Sequence, residues 1–492
     1  MDKHSLSRAL YRTDQTRELD RLAIEEFGTP GLTLMERAGR CAFDQIMQRF
    51  PGADRVVVMC GPGNNGGDGY VVARLMHQIG VQVVVVRTSE PKTKDATTVC
   101  QAYLKVGGSI EENASEVVAC ADLIVDALLG AGLTRTPSPP FASLIEDVNQ
   151  NPCPCVAIDL PSGLSGDTGQ AFDPTINATC TVTFIGKKLG MYTADGETVC
   201  GERIYESLDI DPEVYRHVSP AAQILAAPKF APRKSNSHKG NYGDVVIAGG
   251  DYGMLGAVLL AGRAALRTGA GLVTVASREN HLDKPALSQP ELMSDVYEQS
   301  GQCEALLSRA DAIVIGPGTR KNAWGQDIFT ATTQTGCARV IDAGGLRMLA
   351  ATVRNKFDQQ VLTPHPGEAA ALLKCTSAEI QQDRVAAATA ICDQFGGVCV
   401  LKGAGTIIAG NGLVRICDRG NPGMASAGMG DVLSGMIGAL LAMGMAPMEA
   451  ACAGVWLHAE SADRAARVTS QPALLASDVI GDLGGVILER FG

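Results

Sequence analysis

The sequence predicts an α/β protein with two domains, each built on a largely parallel β-sheet. Its length of 492 residues exceeds the size at which one hydrophobic core usually stops growing. Short β-branched runs alternate with amphipathic segments, which predicts parallel strands joined by crossover helices. This alternation lapses near Pro220 and restarts with a strand at 244–248. We therefore predict one domain at residues 1–222 and a second at 228–492.

The composition narrows the possible functions. A net charge near -11 argues against a surface for nucleic acid or for an anionic membrane. The 15 cysteines are scattered and form no CxxC pair, which favours free thiols in a reducing compartment over disulfides or zinc ligands. The N-terminus is polar, unlike a signal peptide, and no apolar run has membrane-spanning length. We expect a cytoplasmic protein that binds small molecules.

The first half shows a helical pattern at residues 14–50, broken around 28–31, and an amphipathic stretch at 70–80. Strands are predicted at residues 55–60, 81–87, 123–125 and 156–158. Ligands of such a sheet gather outside the carboxyl ends of its strands.

A glycine-rich segment, GPGNNGGDG at 61–69, follows the first of these strands. It contains GxGxxG, but the next strand ends in Arg87 and not in an acid that would hold a ribose, so the dinucleotide-binding signal is weak. Asn64, Asn65 and Asp68 instead place amide oxygens and a carboxylate in the loop, a lining that suits a hard monovalent cation. A tight turn without a ligand is the alternative.

Two further acids, Asp126 and Asp159, directly follow predicted strands. A single such acid is often only a helix cap, but three carboxylates in one domain favour a site in one crevice. Ser162 supplies a hydroxyl nearby. The loop GAGLTRT at 130–136 brings backbone donors and Arg135, which suit an anionic ligand.

The second half contains the most informative segment, NPGMASAGMGDVLSG at 421–435. Gly428 and Gly430 allow a close backbone approach, and a helix predicted from Val432 onward would direct its N–H groups and positive dipole end at an anion. A carboxylate there repels phosphate unless it takes a proton from an attacking hydroxyl, so we interpret Asp431 as a general base. The alternative is a helix N-cap.

Other strands and turns surround this segment. Strands are predicted at 272–275, 312–315, 340–341, 361–363 and 398–401, and Asn411-Gly412 predicts a hairpin. Glycine-containing turns follow strands at 249–257, 316–319, 363–368 and 402–406. Lys402 would add a point charge to a phosphate cradle, although a solvated lysine is the alternative. His365, alone between two prolines, would by itself be structural, and no zinc site is predicted.

The motifs GPGNNGGDG, DALLGAGLTR and IDLPSG, with LTLMERAG upstream, resemble the epimerase half of NAD(P)H-hydrate repair enzymes. The resemblance covers nearly all of the first domain and implies a Rossmann-like α/β/α fold. It implies that the hydrated nucleotide contacts Asn64, Asn65, Gly66, Gly67, Asp68, Gly130, Ala131, Gly132, Leu133, Thr134, Arg135, Thr136 and Asp159. It also implies K⁺ at Asn65, Asp126 and Ser162. Asp159 is then the acid–base candidate, with assistance from Lys188.

The second domain resembles the ribokinase-like dehydratase half of the same enzymes, through NPGMASAGMGDVLSG, TPHPGE and KGAGT. The resemblance implies that the adenine nucleotide contacts Lys402, Gly403, Ala404, Gly405, Thr406 and Gly430. It implies that the hydrate contacts Ala257, Gly318, His365 and Asp431. Within DAGGL at 342–346, the family more often has an acid where Gly344 stands, so a role for that acid is not carried over.

Both halves in this order imply repair of hydrated NADH and NADPH. The implied reactions are epimerisation of the R and S forms and dehydration of the S form with ADP, giving AMP and phosphate. Mg²⁺ is expected with the nucleotide, and the families imply a homo-oligomer. The alternatives are a vitamin-precursor kinase that shares the GMGD turn, a dinucleotide oxidoreductase, and a first domain that only binds.

Overall fold

The computed structural model describes residues 7–111, 115–352 and 355–490. The chain divides into two compact units, Met1–Gln223 and Ile224–Gly492. Within the described residues, no helix combines the length and apolar character that a membrane span requires.

The first unit is an α/β structure. Its strands are β1 Ala9–Tyr11, β2 Arg55–Cys60, β3 Gln82–Arg87, β4 Ser109–Glu111, β5 Leu123–Ala127, β6 Cys155–Ile158, β7 Cys180–Phe184, β8 Lys187–Lys188 and β9 Glu202–Glu206, with β10 Ala222–Ile224 at its end. Its helices are α1 Thr13–Glu25, α2 Gly31–Arg49, α3 Asn64–Gln78, α4 Lys94–Lys105, α5 Ser115–Ala119, α6 Phe141–Gln150 and α7 Gly196–Val199.

Seven strands of this unit form a parallel sheet in the order β4-β3-β2-β5-β6-β7-β9. The valine-rich and isoleucine-rich strands β2, β5 and β6 are buried at nearly every residue, as expected for a sheet covered on both faces. The chain runs outward from β2 to β4, then returns to β5 and continues the other way. The loops after β2 and β5 therefore diverge at a topological switch point, where such sheets bind ligands.

Two local predictions in this unit are wrong. Helix α3 begins at Asn64 and not at Tyr70, so the NNGGD segment is the start of this helix and not a loop. Glycine is a poor helix former, but here a Cβ at Gly66 would lie 1.9 Å from the carbonyl oxygen of Gly61, so close packing requires glycine. Asp126 lies inside β5 and not after it.

The second unit is also α/β. Its strands are β11 Asp244–Ala248, β12 Leu272–Ser277, β13 Met293–Val296, β14 Ala312–Ile315, β15 Ala338–Ile341, β16 Gln360–Leu362, β17 Val398–Leu401, β18 Ile407–Gly410 and β19 Leu413–Ile416. Its helices are α8 Leu255–Thr268, α9 Lys284–Ser288, α10 Glu304–Arg309, α11 Ala323–Thr333, α12 Ala343–Ala350, α13 Pro366–Leu373, α14 Ser377–Gln382, α15 Arg384–Phe395, α16 Met429–Ala442, α17 Pro447–Thr469 and α18 Ala476–Leu488.

The sheet of the second unit has the order β13-β12-β11-β14-β15-β16-β17-β18-β19. Strands β11 to β17 are parallel, and β18 and β19 add antiparallel pairs. The hairpin prediction is confirmed: Asn411 and Gly412 have φ values of 52° and 71°, as a type I′ turn requires. Because β11, β14, β15, β16 and β17 are neighbours, the turns that follow them lie along one edge.

Helix α16 lies against this sheet and is apolar around most of its circumference, as its almost complete burial requires. It begins at Met429, three residues earlier than predicted, after Gly428 in the left-handed region with φ 90°. A Cβ at Gly435 would lie 2.0 Å from the carbonyl oxygen of Ala261, so glycine permits close packing against α8. This packing fixes the first turn of α16, which carries Asp431.

Candidate active sites

The first unit contains a cavity of about 630 Å³ at the switch point of its sheet. Helix α1 contributes Asp20, the N-terminal part of α3 contributes Asn65 and Asp68, and Asp159 follows β6. Lys188 of β8 completes this group. This group therefore brings three carboxyl groups and one ammonium group together from four parts of the chain.

Asp159 and Lys188 form an ion pair in the wall of the cavity. The Lys188 ammonium also donates to Thr183 Oγ1 at 3.0 Å and to the Phe184 carbonyl at 3.1 Å, and its side chain is 4% exposed. Asp159 has a left-handed φ of 68°, an unusual conformation for a residue other than glycine. Backbone and lysine together fix the position of this carboxylate.

Two other carboxyl groups of the cavity have raised pKa values. Burial raises the pKa of Asp68 well above its usual range, and the charges of Asp159 and Asp20 add to the effect. Asp20 is accessible to solvent. The protein around its carboxyl nevertheless displaces enough water to raise the pKa of Asp20 to about 6; Lys188 opposes this shift and Asp159 adds to it.

A group of oxygen donors lies next to the cavity. Asp126 is fully buried and accepts hydrogen bonds from the Ser162 amide at 2.7 Å and the Ser162 hydroxyl at 2.6 Å. Burial raises the pKa of Asp126 to about 6, against the effect of these hydrogen bonds. Both polar atoms of the Asn65 amide are buried without a hydrogen-bond partner among the described residues. This amide oxygen is therefore available to a ligand or a cation.

The glycine-containing loop after β5 reaches the cavity only in part. Gly130, Ala131, Gly132 and Leu133 line it, whereas 134–136 are exposed residues outside its lining. A Cβ at Gly130 would lie 3.5 Å from Asn65 Cγ and 3.6 Å from Asp159 Oδ2. The loop therefore passes close to both side chains.

Several predicted residues of the first unit lie behind the cavity surface. Asp126 and Ser162 pair with each other and do not line it, so the expectation that three acids face one crevice is wrong for Asp126. Gly66 and Gly67 pack inside the first turn of α3. The cavity instead exposes Arg17, Asp20 and Asp95, which sequence reasoning missed. Arg17 and Asp20 are three residues apart on α1 and so share a face, the one signal that could have paired them.

The second unit has a buried ion pair at the carboxyl end of β15. The Lys402 ammonium lies 2.9 Å from Asp342 Oδ1, and the Ser434 hydroxyl donates to Asp342 Oδ2 at 2.8 Å. Glu368 Oε2 is 3.9 Å from the same ammonium. Asp342 is 1% exposed, and the attraction of Lys402 outweighs burial and lowers its pKa. The interpretation of Lys402 as a solvated lysine is therefore wrong.

Asp431 stands beside this pair in the first turn of α16. Gly428 is the N-cap and Asp431 is the third helical residue, so Asp431 does not cap the helix. Burial and the charge of Asp342 raise the pKa of Asp431 to about 7, although Lys402 opposes the shift. A Cβ at Gly430 would lie 3.2 Å from the Lys402 ammonium, so glycine leaves that group open toward the helix N-terminus.

His365 has the structural role expected for a lone histidine. Its Nδ1 accepts hydrogen bonds from the Gly367 amide at 3.0 Å and the Glu368 amide at 3.3 Å, which caps α13. Its side chain is 51% exposed, and Nε2 lies 3.4 Å from Glu368 Oε1. The Nε2 edge of the ring remains accessible to a ligand.

The other glycine turns of this edge support one another. The Gly318 carbonyl accepts from the Asp251 amide at 2.9 Å, and a Cβ at Gly318 would lie 2.5 Å from the Met254 carbonyl oxygen. Ala257 lies in the first turn of α8. Asp251 is itself buried and held by Arg278 and Asn322. The turns at 249–253 and 316–319 thus form one interlocked platform.

The turn at 402–406 rests on a buried arginine that the sequence did not indicate. Arg384 donates to the carbonyls of Leu401 and Lys402, each at 3.3 Å. Gly403 and Gly405 have φ values of 130° and 61°, and Ala404 between them is exposed. The Thr406 hydroxyl donates to the Gly403 carbonyl at 2.9 Å, which closes the turn.

These sites define a bifunctional α/β enzyme with an acid–lysine cavity in one half and a phosphate-type helix N-terminus in the other. Residues 31–190 match the family described as YjeF-related protein N-terminus, and residues 245–482 match NAD(P)H-hydrate dehydratase. The chain belongs to the family of bifunctional NAD(P)H-hydrate repair enzymes. The predicted family and the two α/β halves, the second of them ribokinase-like, are confirmed, and the enzyme has epimerase and dehydratase halves.

Two relatives illustrate this membership. The chain is 40% identical over 491 residues to the bifunctional NAD(P)H-hydrate repair enzyme Nnr of Escherichia coli (strain K12), covering 98% of this chain and 95% of that one. It is 40% identical over 484 residues to the enzyme of the same name from Coxiella burnetii, with 96% and 98% covered. A ribokinase-like superfamily protein from Enterococcus faecalis V583 is similar in structure, with TM-score 0.50, 27% identity, and 54% of this chain and 93% of that chain covered.

Proposed function

We propose that the first unit interconverts the R and S forms of hydrated NADH and NADPH, and that the second dehydrates the S form using ADP. The products are the reduced nicotinamide nucleotide, AMP and phosphate. We assign the epimerase to residues 1–222 and the dehydratase to 228–492. One observation carries the proposal: Asp431, with a pKa of about 7, lies at the N-terminus of α16 beside an already paired lysine.

Dehydration begins with proton transfer to Asp431. As the C6 hydroxyl oxygen attacks the outer phosphorus of ADP, Asp431 takes its proton and the bond to the bridging oxygen breaks, releasing AMP. The C6 oxygen, now part of a phosphate ester, leaves as phosphate while C5 loses a proton, which restores the double bond. The free N–H groups of the first turn of α16 face the developing oxyanions, an effect of roughly 2.7–4 kcal/mol per donor.

Ligand contacts in the second unit follow from its turns. We assign the adenine nucleotide to the turn at 402–406 and to Gly430, and the hydrate to Ala257, Gly318, His365 and Asp431. Lys402 shares its charge with Asp342, so it acts as an oriented donor more than as a free cation. Among the described residues no group of three acidic, histidine or cysteine side chains could hold a metal ion. Mg²⁺ would therefore be held mainly by the nucleotide phosphates and water.

In the epimerase cavity we assign proton transfer to Asp159 and the support of Asp159 to Lys188. We place the substrate against Asn64–Asp68 and the loop at 130–136. The unpartnered amide of Asn65 and the Asp126–Ser162 pair supply oxygen donors of the kind that K⁺ prefers, so these three residues fit the implied cation. When bound, K⁺ would supply positive charge that offsets the carboxylates and orients the substrate.

The decisive experiment supplies the full chain with mixed hydrate epimers and either ADP or ATP. We expect recovery of the reduced-nicotinamide absorbance from both epimers, with the R form consumed faster than spontaneous epimerisation allows. A stable phosphorylated product without recovered absorbance would identify a kinase instead. Consumption of the S form alone would remove the epimerase assignment. Repeating the assay with K⁺ replaced by Li⁺ tests the cation, since only epimerisation should slow.

Two further proposals concern the setting of the enzyme. We propose a cytoplasmic location, which the fifteen free cysteines support because disulfides are rare in reducing compartments. We also propose a homo-oligomer, as the family resemblance implies. Light scattering on the purified chain measures its mass and tests this second proposal directly.

A further inference from the structure

Asp20 is a carboxyl group of the epimerase cavity that the proposed mechanism leaves unused. It lies on α1, which precedes in sequence all the motifs that carry the family resemblance, and it lines the same cavity as Asp159. Among the described residues Asp20 has neither a hydrogen-bond nor an ion-pair partner, whereas Asp159 is tied to Lys188. An unpaired carboxyl group in a ligand cavity is available for proton transfer.

The chemistry of epimerisation needs two such groups. C6 of the hydrate carries a hydroxyl and is bonded to N1. When the C6–O bond breaks, the N1 lone pair forms an N1=C6 double bond, and the departing oxygen takes a proton and leaves as water. Water then adds to the opposite face of C6, the double-bond electrons return to N1, and the new oxygen gives up a proton. Nothing is oxidised or reduced, but one proton is donated on one face and another accepted on the other.

We propose that the Asp20 carboxyl is the second proton-transfer group of the epimerase, acting on the face of C6 opposite to Asp159. In one direction Asp20 donates and Asp159 accepts, and in the reverse direction the roles exchange. This inference rests on the proposed epimerase function of the first unit. It adds a catalytic residue outside the glycine-rich motifs.

The surroundings of Asp20 support this assignment. The titratable groups that interact with its carboxyl are Asp68, Asp159, Lys188 and Tyr215, and Arg17 lies one turn away on the same helix. Burial raises the pKa of Asp20 to about 6, with Lys188 opposing the shift and Asp159 adding to it, which leaves both protonation states populated near neutral pH. Asp68 is less accessible than Asp20 and lies within α3, so it fits a fixed neutral donor to the substrate better than a shuttle.

The test measures epimerisation in the full-length Asp20→Asn variant across pH, after subtraction of the spontaneous rate. We expect kcat to fall by about 100-fold or more, the usual contribution of general acid–base catalysis, with little change in KM. The limb of the pH profile near 6 should disappear with it. Asp20→Glu should restore part of the rate and the limb, and formate should partly rescue Asp20→Ala. Glu18→Gln, which removes an exposed carboxylate on the same helix, is the matched control.

The outcomes separate this inference from the function on which it rests. If the wild-type chain does not accelerate epimerisation, the proposed function itself fails. If the wild type is active and Asp20→Asn keeps its kcat and its pH limb, the role of Asp20 fails alone. A variant that changes only KM would assign Asp20 to binding, and so would also overturn the proposal. Thermal unfolding of each variant checks the fold, and if Asp20→Asn unfolds, the Asp20→Glu profile decides.

Discussion

The two sites of this enzyme each combine carboxylates with one lysine, and they differ in which carboxylate the lysine holds. In the first unit Lys188 pairs with Asp159, the acid that we assign to proton transfer. In the second unit Lys402 pairs with Asp342, and Asp431 has no paired cation among the described residues. One acid that we assign to proton transfer is therefore fixed by a lysine, whereas burial and the charge of Asp342 raise the pKa of the other to about 7.

This difference follows from what each reaction requires. The base that we propose for the dehydratase would work beside the negative phosphates of a nucleotide, where a raised pKa strengthens its affinity for the hydroxyl proton. Its neighbour Asp342 supplies part of that shift and at the same time neutralises Lys402. The epimerase handles no phosphoryl transfer, so a lysine can hold its acid without competing with a second anion. The two carboxylates that we assign to proton transfer are of the same residue type and differ in whether a lysine pairs with them.

Removing Asp431, the acid without a lysine partner among the described residues, should have the largest effect and should affect only one of the two sites. We expect Asp431→Asn to lower the rate of ADP-dependent dehydration by about 10²–10⁴-fold, the range for loss of a general base. In the wild type the rate should rise with pH through about 7, because the ionised form of Asp431 accepts the proton. Absorbance recovery from the S epimer measures both effects.

The epimerase rate of the same variant is the internal control. It should remain at the wild-type level, because Asp431 belongs only to the second site. Dehydration at the full wild-type rate would remove Asp431 from the mechanism, and equal loss of both activities would point to general misfolding.

The buried pair of the second unit should matter for stability as well as for the site. Asp342→Ala leaves the Lys402 ammonium without its main partner and the Ser434 hydroxyl without an acceptor. Loss of one member of a buried pair typically lowers the free energy of unfolding by about 3–5 kcal/mol. Urea unfolding followed by circular dichroism measures this loss.

An exposed ion pair provides the matched comparison. Asp122→Ala removes the partner of Arg55, whose side chain is 56% exposed, and should leave the unfolding midpoint almost unchanged. If both variants lose equal stability, the burial of Asp342 is not what makes its pair important.

The same contrast explains what the sequence could and could not predict. Buried valine and isoleucine runs predict parallel strands because both faces of such a sheet are covered, and most strands were placed correctly. The position of Asp431 near a helix N-terminus was predictable because glycines and an acid adjoin in sequence. The pairing of Lys402 with Asp342 was not, since 60 residues separate them and only the sheet order brings them together.

Two misses arise from packing that the sequence pattern does not encode. The helical start at Asn64 contradicts the low helix propensity of glycine, and it depends on close packing against Gly61, which no local pattern encodes. The position of Asp20 in the cavity depends on the rotation of α1 about its axis. Periodicity assigns the buried face of a helix, but it does not identify which residue at the edge of that face meets a ligand.

Removal of Asp159, the acid that pairs with a lysine, should have a smaller effect than removal of Asp431. It should slow epimerisation and leave dehydration intact. We expect Asp159→Ala to slow enzymatic epimerisation by about 100-fold, while ADP-driven loss of the S epimer continues. The R epimer should then disappear only as fast as it epimerises spontaneously. Chiral separation of the remaining hydrates measures the two forms, and consumption of both at the wild-type rate would refute the assignment of the first site.

The smallest expected effect concerns the acid that the second site lacks. Gly344→Asp would introduce the carboxylate that the family resemblance leads us to expect at this position. In this chain a Cβ at Gly344 would lie 2.0 Å from the carbonyl oxygen of Thr319, so the turn at 316–319 must shift. Overpacking of this kind costs about 1–3 kcal/mol. We therefore expect lower stability and slower dehydration, measured by thermal unfolding and by absorbance recovery.

Two alanine variants separate the crowding from the charge. Gly344→Ala adds only the Cβ and should reproduce most of the loss of stability. Gly336→Ala has open space around its Cβ and should be neutral. If Gly344→Asp instead proves as stable as the wild type and dehydrates faster, the turn at 316–319 accommodates the acid. Crowding against this turn would then not explain why the chain has glycine at position 344.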